Sequence, residues 1–209
     1  MGYDQTELYF LRSELSRCFG KEEGERLYAR ASKLYRELSV TTDFKGSKTL
    51  ERQMDGLLLP VIALYKTLIQ DGYRQENALG VLRTITSRAA EESGQRLKAQ
   101  NRKITPYRAF RRNIRNFIEY RFPEAGGWDV SEPALEKNDI CFRIEECVYW
   151  RITKRFGCLE LCGVFCDYER IAFAGLKPYT VFSCSERIAD GCKSCVFHFG
   201  KGAKEKEEK

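Results

Sequence analysis

The chain has 209 residues and a mass of 24.3 kDa, enough for one large domain or two small ones with a proper core. Hydrophobic residues at 43%, charged residues at 32% and a net charge of +6 argue for a folded globular protein and against a disordered or membrane-embedded one. The longest apolar run, Leu57 to Leu64, is interrupted by Pro60 and falls far short of the roughly 20 residues needed to span a bilayer. The start, with Asp4 and Glu7, lacks the basic and apolar regions of a secretory signal, so the expected location is the cytoplasm.

Five helices are predicted before residue 122. Leu8, Leu11 and Leu15 mark the first and Leu27, Ala31, Leu34 and Leu38 the second, each an apolar stripe at helical spacing, with Gly20 between them. Val40 to Lys48 reads as a polar connector with Ser47 as a cap. The third helix is apolar nearly all round from Leu57 to Leu68, kinked or split at Pro60, and ends at Asp71 and Gly72. The fourth carries Ala78 to Ala89 and gives way to a charged, flexible stretch from Glu91 to Lys103. The fifth is expected to begin at a Thr105 cap with Pro106 at its first position, burying Phe110, Ile114, Phe117 and Ile118.

The period then changes. Ile140, Phe142 and Ile144 alternate with polar positions, as a half-buried strand does. Helical spacing returns from Val148 to Phe156 and from about Leu159 to Phe173. Residues 179 to 188 alternate again, with Phe182, Cys184, Glu186 and Ile188 on one face and Val181, Ser183, Ser185 and Arg187 on the other. Asp190-Gly191 is a turn signal, and Cys195, Phe197 and Phe199 form the return strand of a hairpin. The expected class is therefore α+β: an N-terminal helical bundle packed on a small antiparallel sheet of C-terminal strands. Residues 1–122 are the helical region, 123–200 the strand-helix-helix-hairpin region of the same domain, and 201–209 a disordered tail.

Nine cysteines, eight of them after residue 140, place any chemistry in the last third, and thiols are the default state without an export signal. The lone histidine, His198, is three residues from Cys195, so the two face opposite sides of a regular strand and form no dyad; it reads as a surface or hydrogen-bonded residue. Cys158, Cys162 and Cys166 are spaced by four, but on a helix the outer two stand roughly 12 Å apart, too far for one ion. A cysteine-ligated metal or iron–sulfur site, if present, would draw on Cys162, Cys166, Cys192 and Cys195; otherwise these are small hydrophobes on buried faces. Cys166, Asp167 and Glu169 place a thiol beside carboxylates, a nucleophile or proton donor next to an acceptor for a cationic amidine-like group. Arg96 to Arg121 holds nine basic residues against Glu119 alone; its interleaved aromatics suit a helix core, so a solvated or anion-binding face is favoured over nucleic acid.

The order of residues from Arg143 to Phe199 resembles the C-terminal half of the L-2-amino-thiazoline-4-carboxylic acid hydrolase family. The likeness is carried by Cys147, by Gly157-x-x-Glu160-Leu161, by Cys166 with Asp167 or Glu169, by Ile188-Ala189-x-Gly191 and by Cys195-x-Phe197-x-Phe199. Ala63-Leu64-Tyr65-x-x-Leu68 and Gly72 are similar to its N-terminal part. Val196 stands where the family's closing motif has an aspartate, and Cys184 where an arginine opens the turn motif, with Arg187 the nearest arginine.

The resemblance implies hydrolytic opening of a small cyclic C–N substrate to an N-carbamoyl-cysteine-type product, without a cofactor. Cys166, Asp167 and Cys195 are then the expected catalytic residues, and Cys147, Glu169, Arg187 and Arg143 the expected substrate contacts. The expected partner is a small-molecule substrate or ligand, with no membrane and no nucleic acid, and a homo-oligomer is allowed. The ending is also similar to a ligand-binding domain of the four-vinyl-reductase type, which binds without reacting and would make the protein a sensor.

Overall fold

The computed structural model describes residues 2–44, 46–101 and 106–202. The fold is α+β, and the chain forms two compact units: Met1–Ala89 with Ile152–Phe165, and Ala90–Arg151 with Cys166–Lys209. The expected cap at Thr105 and the expected disorder of residues 203–209 lie outside the described residues. Among the described residues no helix is long and apolar enough to cross a membrane.

The first unit is helical. After a 3-10 turn at Tyr3–Gln5 come α1 (Leu11–Phe19) and α2 (Lys21–Thr41), then α3 (Lys48–Gln53), a π-helical turn at Met54–Leu58, and α4 (Leu59–Gln70). Leu8, Leu11, Leu15, Leu27 and Ala31 are completely buried, each such leucine contributing about 1.5–3 kcal/mol. α1 and α2 approach so closely that a Cβ on Gly24 would sit 2.5 Å from the Ser16 backbone nitrogen. The expected cap is present, since Ser47 Oγ accepts from Leu50 N at 3.2 Å.

Pro60 explains the wide turn that precedes it. Proline has no N–H to donate to the carbonyl four residues back, and that carbonyl, on Gly56, instead accepts from Glu7 N at 2.9 Å. The Pro60 carbonyl in turn takes the Tyr3 hydroxyl at 2.8 Å. The N-terminal segment is thus tied to the place where the helix changes its winding.

The remaining helices are α5 (Gln75–Gln100), α6 (Pro106–Arg112), α7 (Ile114–Arg121), α8 (Val148–Arg155) and α9 (Cys162–Ala174). α5 corrects the sequence reading: the charged stretch after Glu91 stays helical to Gln100 because nothing in it breaks a helix and Gly94 has a packing role. A Cβ on Gly94 would lie 2.9 Å from the Ala172 carbonyl oxygen. The fifth predicted helix is two short ones that meet at Asn113.

The second unit contains the sheet. Its strands are β1 (Asp129–Val130), β2 (Ala134–Leu135), β3 (Ile140–Glu146), β4 (Thr180–Glu186) and β5 (Cys195–Lys201). The order is β1-β3-β5-β4, all antiparallel, with β2 also on β3. β1 and β2 are too short to carry a periodic signal, and Lys201, expected in the tail, closes β5. One face of the sheet is phenylalanine-rich: Phe142, Phe182, Phe197 and Phe199 pack with Phe110, Phe117 and Phe173, with ring centres 4.9–6.3 Å apart.

The hairpin β4–β5 is irregular. Cys184 pairs with Phe197 but Glu186 pairs with Val196, so Ser185 is an extra residue in a β-bulge. A bulge cancels the two-residue alternation locally and re-aims the side chains beyond it.

Candidate functional site

A cavity of about 450 Å³ opens in the sheet-bearing unit. Its apolar wall is Phe122, Trp128, Phe182 and Phe197. Four thiols line it: Cys147 before α8, Cys166 on α9, Cys184 on β4 and Cys195 on β5. The charged groups are Glu169, Arg170, Arg187 and Asp190.

Each residue is placed by its element. The Cys147 carbonyl accepts the first hydrogen bond of α8, from Arg151 N at 3.0 Å. Cys166 and Glu169 are three residues apart on α9 and so share a face. Cys195 opens β5, and its Sγ accepts the Ile188 N–H at 3.3 Å. Ser183, Ser185 and Arg187 line the same cavity as Cys184, on both sides of the bulge, although strict alternation predicts opposite faces for them.

The carboxylate of Glu169 is buried at 3% exposure and held from both oxygens. Oε2 accepts from Arg121 Nε at 3.0 Å and lies 2.9 Å from its Nη2 in an ion pair, and Oε1 accepts from the Tyr149 hydroxyl. Burial opposes the charge on Arg121, but Glu169 and the Tyr149 and Tyr168 hydroxyls more than reverse this, and the guanidinium is held charged above its ordinary range. It also lies over the Tyr168 and Phe173 rings at 5.6 and 5.7 Å. Tyr149 is pushed up by burial first and by Glu169 next, so it stays a hydroxyl donor. Trp128 meets its ring edge-on at 4.9 Å.

Cys184 and Cys195 are held neutral. Burial pushes Cys195 up to about 12; the Ile188 N–H opposes this, while neighbouring Cys147, Cys166 and Cys184 add to it. Burial pushes Cys184 up to about 11, against the pull of Arg187. Neutral thiols attack poorly until deprotonated, and a raised pKa makes them reluctant to give up the proton. Arg187, at the half-exposed rim, donates through Nε to Asp190 Oδ2 at 2.6 Å, which raises its own pKa and fixes its direction.

Of the residues singled out from sequence, Cys147, Cys166, Glu169, Arg187 and Cys195 line this one cavity. Asp167 does not; one step further round α9, it faces Arg170 at 3.5 Å. Arg143 is exposed on the β3 face opposite Phe142 and Ile144 and is outside the lining. Cys162 is buried, and Cys192 is exposed on the turn before β5, neither of them in the lining. Among the described residues no three His, Cys, Asp or Glu side chains are placed to hold a metal ion.

The ladder of three cysteines is also broken. Cys158 precedes a 3-10 turn at Leu159–Leu161 and lies off α9, where burial pushes its thiol up to about 11. His198 pairs with Asp139 Oδ2 at 2.9 Å, a hydrogen-bonded histidine.

Arg121, Tyr149, Trp128, Arg170, Cys184 and Ser185 escaped the sequence reading as site residues. Arg121 sat unremarked in the basic stretch, because the ion pair that distinguishes it joins residues 48 apart.

The model of the L-2-amino-thiazoline-4-carboxylic acid hydrolase family matches residues 51–199, more than half of the chain. The chain belongs to that family. Searches of curated proteins and of solved structures returned no match. The family match spans every residue that lines the cavity, including Val196's neighbours Cys195 and Phe197, so the departures at Cys184 and Val196 lie inside a hydrolase-family segment.

Proposed function

We propose that this family member hydrolyses a small cyclic isothiourea of the 2-amino-thiazoline-4-carboxylate kind to an N-carbamoyl-cysteine-type product. The observation that carries this reading is the shared cavity: four thiols from four chain segments, a buried carboxylate and a rim arginine all border it. Such a substrate presents an amidine, a ring sulfur and a carboxylate, and the cavity offers a complementary group for each.

In this reading Glu169, positioned by Arg121 and Tyr149, accepts hydrogen bonds from the amidinium, and Arg187 pairs with the substrate carboxylate at the rim. The Cys166 Sγ bonds to the amidine carbon and the ring C–S bond breaks. The proton lost by Cys166 reaches the departing ring sulfur through Cys195, which borders the same cavity and takes up one proton as it gives up its own. Water then adds its oxygen to the same carbon, the bond to Cys166 breaks, and a water proton restores its thiol. One water is consumed and no external oxidant or reductant is needed.

The test is turnover of the thiazoline carboxylate followed by mass spectrometry of substrate and product. Cys166→Ala is expected to lower kcat by about a hundredfold or more; full activity in that variant removes Cys166 from the mechanism. A second reading, binding without turnover, is favoured by the Cys184 and Cys195 thiols being held neutral. It is selected if the compound raises the melting temperature but is never consumed.

A further inference from the structure

Four arginines, Arg108, Arg111, Arg112 and Arg115, line a second groove of about 450 Å³ in the sheet-bearing unit, together with Asn116, Ile114 and Leu135. No residue of this groove belongs to the thiol-lined cavity, and the hydrolytic reading leaves it without a task. The arginines stand at i, i+3, i+4 and i+7 across α6 and α7, the spacing at which like charges on helical chain repel one another. No acidic residue lines the groove, and the acidic partner that Arg115 has, Glu132, stands outside it.

Two of the four are held in place. Arg111 Nη2 donates to the Leu135 carbonyl at 3.0 Å, while its Nε is shielded from solvent with no acceptor among the described residues. A buried donor without an acceptor calls for one from outside. Arg115 rests on Glu132 at 3.0–3.1 Å, and Glu132 is exposed and outside the lining. Arg108 and Arg112 are exposed and have no hydrogen bond or ion pair among the described residues.

We infer that this groove binds the phosphate of a small phosphorylated molecule. Several guanidinium forks match a multiply charged tetrahedral oxyanion, which can accept bidentate bonds from more than one of them. A single carboxylate would leave most of that positive charge unbalanced. The exposed Leu135 adds an apolar surface against which an organic body can rest. The volume lies within the roughly 300–1,000 Å³ of small-ligand sites, and its concave shape favours a compact phosphate ester over a nucleic-acid backbone lying along an open surface.

The test measures binding of inorganic phosphate, adenosine diphosphate, adenosine and a single-stranded oligodeoxynucleotide to the full chain. The diphosphate is expected to bind, phosphate to compete with it, and adenosine to be ineffective. Arg108→Gln combined with Arg112→Gln should weaken diphosphate binding by about tenfold or more. Because both side chains are exposed, the melting temperature and thiazoline turnover should stay unchanged. Arg111→Lys, which keeps charge but loses the fork, should weaken binding less than Arg111→Gln. Absence of diphosphate binding, binding indifferent to these variants, or equal binding of adenosine overturns the inference. So does an oligodeoxynucleotide that binds more tightly than the diphosphate with a steep salt dependence, which assigns the groove to nucleic acid instead.

Discussion

Glu169 on α9, which lines the thiol cavity, forms an ion pair with Arg121 at the end of α7, whose Nε and Nη2 both meet Oε2 at 2.9–3.0 Å. Both side chains are largely withdrawn from water, so each depends on the other for its charge.

Removing one partner should therefore cost far more than removing both. Arg121→Met is expected to lower unfolding free energy by about 3–5 kcal/mol, and Arg121→Met with Glu169→Leu to recover much of that loss. Urea denaturation of the two variants checks this. A double variant no more stable than the single one would show that the pair is not coupled.

Thiol reactivity should follow burial and charge. Cys195, held at about 12 by burial, is almost wholly protonated at pH 8, whereas an ordinary thiol near 8.5 is not. Native protein treated with iodoacetamide and mapped by mass spectrometry should be labelled first at the exposed Cys18 and Cys192. Cys195 should lag by a factor of about a thousand. Because the folded state raises this pKa, its contribution to stability is complete below about 8.5 and is lost as pH rises toward 12.

Arg187 and Asp190 offer a kinetic split. If Arg187 grips the substrate carboxylate equally in ground and transition states, Arg187→Gln raises KM by about tenfold or more and leaves kcat nearly unchanged. Asp190→Asn, which loosens the 2.6 Å contact that aims Arg187, should raise KM less. A fall in kcat with constant KM in Arg187→Gln would instead place this arginine in the chemical step.

Glu14 contributes to acid stability in the helical unit. Burial alone would raise its pKa, but hydrogen bonds from Arg17 at 2.9 Å and Arg88 at 2.6 Å outweigh that and hold it below the usual carboxylate value. The depressed value means the stabilisation is present above the unfolded carboxylate value of about 4.3 and disappears as pH falls through the folded one. Both arginines are partly exposed, so Glu14→Gln should cost about 1–2 kcal/mol at neutral pH. Thermal melts should show the difference from the unaltered protein shrinking in acid.

The α+β class and most element positions were legible in the sequence because they rest on local periodicity. A three- to four-residue apolar stripe makes α1, α2 and α9 amphipathic wherever they pack, and the alternation from Ile140 to Ile144 makes β3 half-buried in any sheet. The thiols and Glu169 were recognisable by chemical type and by family order. Nothing local, however, distinguishes Arg121 from the other basic residues of its stretch, or Glu169 from Asp167 two positions earlier. Those distinctions arise when α9 turns one face to the cavity and the neighbouring face away, and when residues 48 apart share one charge-assisted contact. The bulge at Ser185 has the same character: one unpaired residue in a strand has no signature in composition, yet it shifts the register of β4 against β5 beside the cavity. Helix and strand follow from neighbours along the chain, whereas the arrangement of charge around a buried carboxylate follows only from which distant segments exclude water together.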